Sequence, residues 1–161
     1  MTTATAAPET TPISLGSVAP DFSLPDSENK QWKLSAFLGK KPVALFFYPL
    51  DWSPTCTKEN VCFSRDLSRF GKYAEVAGIS IDSVWSHKAW KTHMALNHTL
   101  LADMQRKVCK AYGLYFPDAN ISQRATVLIG KNGKVAWVHV EPDITQERDY
   151  KELEDQLAKL Q

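Results

Sequence analysis

Cysteine is scarce in this chain: 161 residues contain only three, Cys56, Cys62 and Cys109. An odd number without a regular framework argues against a disulfide-stapled secreted domain, and a reducing cytoplasm is the expected compartment. No apolar run reaches about 18 residues, so no transmembrane helix is expected. An excess of one charge sign is missing too. A formal charge of +1 gives no reason to expect nucleic acid or an anionic membrane as partner. Metal-ligand spacing is absent: His87, His93, His98 and His139 form no ligand pattern, and Cys56-x₅-Cys62 is not a zinc motif. Met1 to about Pro12 has neither the basic start nor the apolar stretch of a secretory signal. It is rich in Thr, Ala and Pro and reads as a disordered lead-in over 1–12. With 43% hydrophobic and 23% charged residues, 13–161 reads as one globular domain with a real core.

What the chain does have is a strand feeding a helix around a thiol. Val43 to Tyr48 is a short apolar run rich in aromatic residues, the mark of a buried strand. Pro49 ends it, because proline cannot donate to a sheet ladder. Ser53-Pro54 then reads as a helix start, serine as N-cap and proline as first helical residue. Cys56, Phe63, Leu67 and Phe70 fall on one face at helical spacing, which carries the helix to about Phe70 or Tyr73. Cys56 thus sits in the first turn, where free backbone N–H groups and the helix dipole favour a thiolate. That is a place for nucleophilic sulfur chemistry.

The remaining elements follow in order. Ala19–Leu24 and Gln31–Leu34 flank the turn cluster Asp26–Lys30 and predict a hairpin. Ser35–Leu38, closed by Gly39, predicts a brief helical turn. Glu75–Ile81 reads as a strand, and Ser86 as the cap of a helix through about Leu96. Thr99–Leu101 is a short strand or a connection, and Met104–Tyr112 a helix stopped by Gly113. Strands Thr126–Ile129 and Val135–Val140 flank an Asn-Gly turn signal. Gln146–Leu160 is the last helix, with Tyr150, Leu153, Leu157 and Leu160 on one stripe. Alternating strands and helices with a late antiparallel hairpin give an α/β class with a mixed sheet.

Pro49, Ser53 and Cys56 match the Pro-x-x-x-Thr/Ser-x-x-Cys motif of peroxiredoxins, the thiol peroxidases of the alkyl hydroperoxide reductase/thiol-specific antioxidant group. Ala19-Pro20-Asp21-Phe22 resembles that family's entry segment. Asp82-Ser83 with Ser86-His87-Lys88-Ala89-Trp90 resembles its middle segment, and Ala111-Tyr112-Gly113 and Arg124-Ala125-Thr126 its later landmarks. In register, these cover roughly residues 15 to 160 and look most like one-cysteine or bacterioferritin-comigratory-type members. The resemblance implies a thioredoxin-like fold, its mixed central sheet flanked by helices, with an N-terminal β-hairpin extension. It also implies reduction of hydrogen peroxide and organic hydroperoxides by electrons from thiols, with no metal, haem or flavin.

Peroxide reduction needs a thiolate attacking oxygen and donors for the charge that moves to the leaving oxygen. A hydroxyl and a guanidinium are suitable donors. Ser53 precedes Cys56 by three residues, so both can face one pocket. By resemblance, Arg124 lies against Cys56 and holds the peroxide, and Pro49 shields the thiolate from water. Glu59 shares the cysteine's side of the helix. In the family such a residue helps fix the arginine; the plain alternative is an acid complementing the helix dipole. His87 and Trp90 read as structural.

Turnover requires a second thiol to condense with the sulfenic acid left on Cys56. No cysteine follows Cys109, so a resolving cysteine near the C-terminus is not expected. Cys62 lies about 9 Å along an intact helix, and a disulfide needs Cα atoms within about 7 Å, so that pair requires unwinding. Relatives that resolve within this helix place the second cysteine where Val61 stands. Cys109 reads as core. The expectation is a one-cysteine cycle with an external reductant: thioredoxin, a glutaredoxin-like protein or a low-molecular-weight thiol. The alternative is an atypical two-cysteine enzyme using Cys62. A disulfide reductase predicts Cys-x-x-Cys, but Ser53 takes the first position. A non-catalytic holdase on the same fold is the remaining class. Tyr48 and Trp52 are candidates for a homodimer contact.

Overall fold

A computed structural model describes residues 9–161, so the expected lead-in lies outside the described residues as far as residue 8. From Glu9 the chain is fastened: Tyr115 N donates to Glu9 O at 3.1 Å, and Ile13 N to Tyr112 O at 3.1 Å. Gly113 permits that approach. Its φ is +69°, and a Cβ there would lie 1.7 Å from Thr11 O.

The hairpin forms with shorter arms than predicted. Strands β1 (Ser23–Pro25) and β2 (Gln31–Lys33) pair antiparallel. Asp26 Oδ1 accepts from Glu28 N and Lys30 N, both at 2.9 Å, which ties the turn. A single 3₁₀ turn, Leu34–Ala36, follows one residue earlier than predicted.

Strand β3 (Val43–Phe47) is buried at every position. It pairs parallel with β4 (Glu75–Ser80), which pairs parallel with β5 (Thr99–Ala102). On its other side β3 pairs antiparallel with β8 (Ala125–Ile129), and β8 with β9 (Val135–Val140). The order β5-β4-β3-β8-β9 makes β3 the central strand of a mixed sheet, as expected. Its residues alternate between two cores. Val43, Leu45 and Phe47 pack with Ile79, Leu101 and Val127; Ala44 and Phe46 pack with Phe63, Phe70 and Leu153. A strand covered on both faces reads as an unbroken apolar run. Burying each Phe contributes roughly 2–3 kcal/mol.

The predicted long helix is two: α1 (Pro54–Arg65) and α2 (Leu67–Gly71), broken at Asp66 (φ −96°, ψ 13°). Asp is a weak helix former. The bend lets Phe70 stack on Phe63, ring centroids 4.9 Å apart. Helix α3 (Val84–Met94) is capped by Ser83, not by Ser86, and Ser83 Oγ accepts from Ser86 N at 3.1 Å. Helix α4 (Lys107–Ala111) starts later than predicted, because Arg106 is left-handed (φ +59°) and Asp103 takes the first N–H groups. Val108 N and Cys109 N donate to its carboxylate at 3.2 and 2.9 Å. The small hairpin β6 (Tyr115–Phe116) and β7 (Ile121–Ser122) carries too few residues for a periodic signal. Helix α5 (Tyr150–Ala158) also starts late, capped by Asp149, whose Oδ1 accepts from Lys151 N and Glu152 N. Among the described residues no helix is long and apolar enough to cross a membrane.

Candidate active site

The sheet delivers Cys56 by a short path. Tyr48 N donates to Ile79 O at 3.1 Å, the buried Pro49 ends the ladder, and Trp52 turns the chain with φ +67°. Ser53 stands at the N-cap, and its carbonyl accepts from Thr57 N at 2.8 Å. Its hydroxyl does not cap; it donates to Leu50 O at 2.9 Å. Thr55 N and Cys56 N, in the first turn, are therefore left without a helical acceptor or a Ser53 cap.

Cys56 is fully buried, and Arg124 Nη2 donates to its Sγ at 3.1 Å. Three further bonds fix that guanidinium. Nη1 donates to Glu59 Oε1 at 2.9 Å, and Nε and Nη2 donate to Ile144 O at 3.1 and 2.9 Å. Burial works against the Arg124 charge, but Glu59 and Cys56 outweigh it and hold the guanidinium above its ordinary range. Glu59 is itself only 1% exposed. It also meets Arg148, through Nη1 to Oε1 and through the backbone N to Oε2 at 3.0 Å. Arg148 is buried beneath the sheet end, donating to Thr126 Oγ1 and Ala125 O, both at 3.0 Å, and to Phe47 O. Two guanidinium groups thus face one carboxylate. Two arginines against one carboxylate place positive charge beside the Cys56 sulfur.

Cys56, Arg124 and Glu59 are thus brought together, and Pro49 is buried where the strand ends. Glu59 is no solvated dipole partner: burial and two arginines exclude that alternative. Ser53 lines the turn, but its hydroxyl faces Leu50 O. Cys62 is half-buried on the same unbroken helix. Cys109 is buried in the main core, as read; burial, then the charge of Asp103, push its thiol up to about 12. Tyr48 corrects the dimer expectation: it is 1% exposed and donates to Asp51 Oδ1 at 2.8 Å, while Trp52 remains 50% exposed. His87 is structural, with Nδ1 at 2.8 Å from Asp51 Oδ2 and Nε2 at 3.1 Å from Leu101 O.

Arg148, Asn60 and His98 escaped the sequence reading. Arg148 is surrounded by polar neighbours and carries no signal. Asn60 had one: a polar residue four after Cys56, on the buried stripe. Its Nδ2 donates to Cys56 O at 2.8 Å, so its Oδ1 must accept from His98 Nε2, also at 2.8 Å. The proton of His98 is then on Nε2, and its buried Nδ1 has no partner among the described residues.

Burial, reinforced by Lys91, lowers His98 to about 3. The folded protein holds this imidazole neutral, whereas an unfolded histidine titrates near 6.5. Between those values the unfolded chain binds a proton that the folded one refuses, so stability falls as pH falls. From pH 6.5 to 5 the expected loss is about 2 kcal/mol. Urea unfolding at both pH values checks this, and His98→Gln should remove that slope; an unchanged slope in the variant would refute it.

Among the described residues no cluster of three or more His, Cys, Asp or Glu is placed to hold a metal ion. The chemistry on offer is that of a charge-stabilised sulfur nucleophile. The profile of the AhpC/TSA family matches residues 15–138. The sequence is 39% identical over 132 residues to 2-Cys peroxiredoxin BAS1, chloroplastic, of Spinacia oleracea, covering 75% of this chain and 50% of that protein. It is 41% identical over 131 residues to Peroxiredoxin Q, chloroplastic, of Suaeda salsa, covering 79% and 60%. The chain thus spans between half and two thirds of the length of these curated relatives. Among solved structures, the reduced 2-Cys peroxiredoxin of Plasmodium vivax superposes with a TM-score of 0.82 at 32% identity, covering 90% of this chain and 94% of that one. Peroxidoxin BcpB from Mycobacterium tuberculosis gives 0.80 at 27% identity, covering 92% and 99%.

Proposed function

This chain belongs to the AhpC/TSA family, the peroxiredoxins, and from that premise we propose that it is a thiol-dependent peroxidase with Cys56 as nucleophile. The observation that carries the reading is the Arg124 Nη2 donation to Cys56 Sγ at 3.1 Å, made by a guanidinium that Glu59 and Ile144 O hold in place. In the reaction the thiolate sulfur attacks one oxygen of a peroxide ROOH and the O–O bond breaks. Sulfur is oxidised to the sulfenic acid, and RO⁻ leaves and takes a proton to become ROH. The first-turn N–H groups and Arg124 supply donors for the oxygens as charge moves between them. Hydrogen peroxide and organic hydroperoxides are the substrates of this reading.

For turnover the site favours an external thiol, from thioredoxin, a glutaredoxin-like protein or a low-molecular-weight thiol. Cys62 shares an unbroken helix with Cys56, and Cys109 is buried with its thiol pushed up to about 12. A homodimer is part of the same reading. Trp52 retains its role there, now with the exposed Leu50 and Trp85 in place of Tyr48.

Intact mass after one equivalent of hydrogen peroxide, non-reducing, with and without a sulfenic-acid trap, tests the cycle. A trapped adduct at Cys56 is the expected result. A loss of two hydrogens mapped to Cys56–Cys62 would instead make Cys62 the resolving residue, and an untouched Cys56 would sink the peroxidase. Run under native conditions, the same measurement should return the mass of a dimer, and a monomer at working concentration would count against it.

A further inference from the structure

Position 60 lies on the buried face of α1, where packing alone would favour an apolar side chain. Instead Asn60 is 6% exposed and His98 2% exposed, both in the interior. A buried polar pair costs more than an apolar one unless its bonds are made. These bonds lead to the nucleophile. In an α-helix the Cys56 carbonyl already takes the backbone N–H four residues on, from Asn60. Asn60 Nδ2 gives it a second donor, at 2.8 Å. His98 Nε2 holds Asn60 Oδ1 at 2.8 Å and so orients the amide, and His98 is anchored where its carbonyl accepts from Lys91 Nζ at 2.8 Å. Its ring also stands edge-on to Phe63, centroids 5.1 Å apart.

Cys56 is fully buried, so a reducing thiol reaches its sulfur only when the packing around it moves, and the first turn that carries it is the segment whose opening exposes it. Opening breaks both bonds to the Cys56 carbonyl. We propose that Asn60 and His98 are positioning residues for Cys56: a buried clasp, from Cys56 O through the Asn60 amide to the His98 ring, restrains the opening of the turn. It thereby sets how fast the oxidised cysteine meets a reducing thiol. The proposal rests on Cys56 being the peroxide-reactive residue. The step affected is attack of a thiolate R–S⁻ on the Cys56 sulfenic sulfur. The S–O bond breaks, hydroxide leaves and takes a proton to become water, and the S–S bond forms; the incoming sulfur is oxidised and the sulfenic sulfur reduced.

The test uses the full chain, as wild type, Asn60→Leu, His98→Phe and the double variant. Each is oxidised with hydrogen peroxide and mixed with thionitrobenzoate, whose loss of colour reports capture. Losing one net hydrogen bond should speed capture by about three- to tenfold. Peroxide oxidation of Cys56 is timed on the same samples, so that a change in capture is separated from a change in the first step. The double variant should match Asn60→Leu, since both residues act through one carbonyl. Ile129→Val, in the opposite core, loosens the fold without touching the clasp and should leave capture at the wild-type rate. Capture at that rate in Asn60→Leu and His98→Phe would overturn the clasp, and so would equal acceleration by Ile129→Val. Should Asn60→Leu fail to fold, His98→Phe carries the test. Should wild-type Cys56 resist peroxide, the peroxidase reading fails by itself. Hydrogen exchange of the amides over 55–60 then decides: faster exchange in the variants supports the clasp, and equal exchange overturns it.

Discussion

Cys56→Ser is expected to lower peroxide consumption by at least about 10³-fold, because a serine hydroxyl is not ionised at neutral pH and is a far poorer nucleophile toward oxygen. The fold should survive. The substitution nearly conserves shape, and Arg124 keeps Glu59 and Ile144 O as partners when the sulfur is gone. Rapid-mixing measurement of peroxide loss, with circular dichroism beside it, separates the two effects. Activity retained at the wild-type rate would move the nucleophile away from Cys56.

Glu59→Gln should do its damage twice. A buried carboxylate that faces Arg124 and Arg148 is replaced by a neutral amide, and two guanidinium charges lose the carboxylate they share. Removing one partner of a buried ion pair costs about 3–5 kcal/mol, because the other charge stays buried and uncompensated. For a chain of this size each kcal/mol moves Tm by about 2–4 °C, so the drop should be about 10 °C. Peroxide reduction should fall as well, by about 10- to 100-fold, because Arg124 loses the bond that aims it at sulfur. Thermal unfolding and peroxide kinetics on the same sample check both. A Tm within a degree or two of wild type would mean that Glu59 sits in water, as a helix-dipole partner would.

Much of this site is legible in the sequence because it rests on local rules. The apolar run of β3, the proline that ends it, Ser53-Pro54 and the stripe through Cys56 and Phe63 each follow from a neighbour or a period. The break at Asp66 does not, because what favours it is Phe70 closing on Phe63, a contact made through the bend. Arg148 was lost for a related reason. It reads as one of several polar residues before α5, and what turns it inward is Glu59, 89 residues earlier in the chain. Tyr48 was misplaced because an apolar run does not say where its last residue points; the Asp51 carboxylate decides that. Arg124 is placed only by family resemblance. Its sequence context alone favours a surface ion pair.

Glu59 meets arginines that lie 65 and 89 residues further along the chain. During synthesis, then, the sulfur leaves the ribosome long before either guanidinium. Until the segment carrying Arg148 has emerged and β8 has closed against β3, Cys56 stands on an unfinished sheet without the guanidinium that donates to its sulfur. That contact belongs to the folded domain, and a nascent or clipped fragment that ends before Arg124 lacks it.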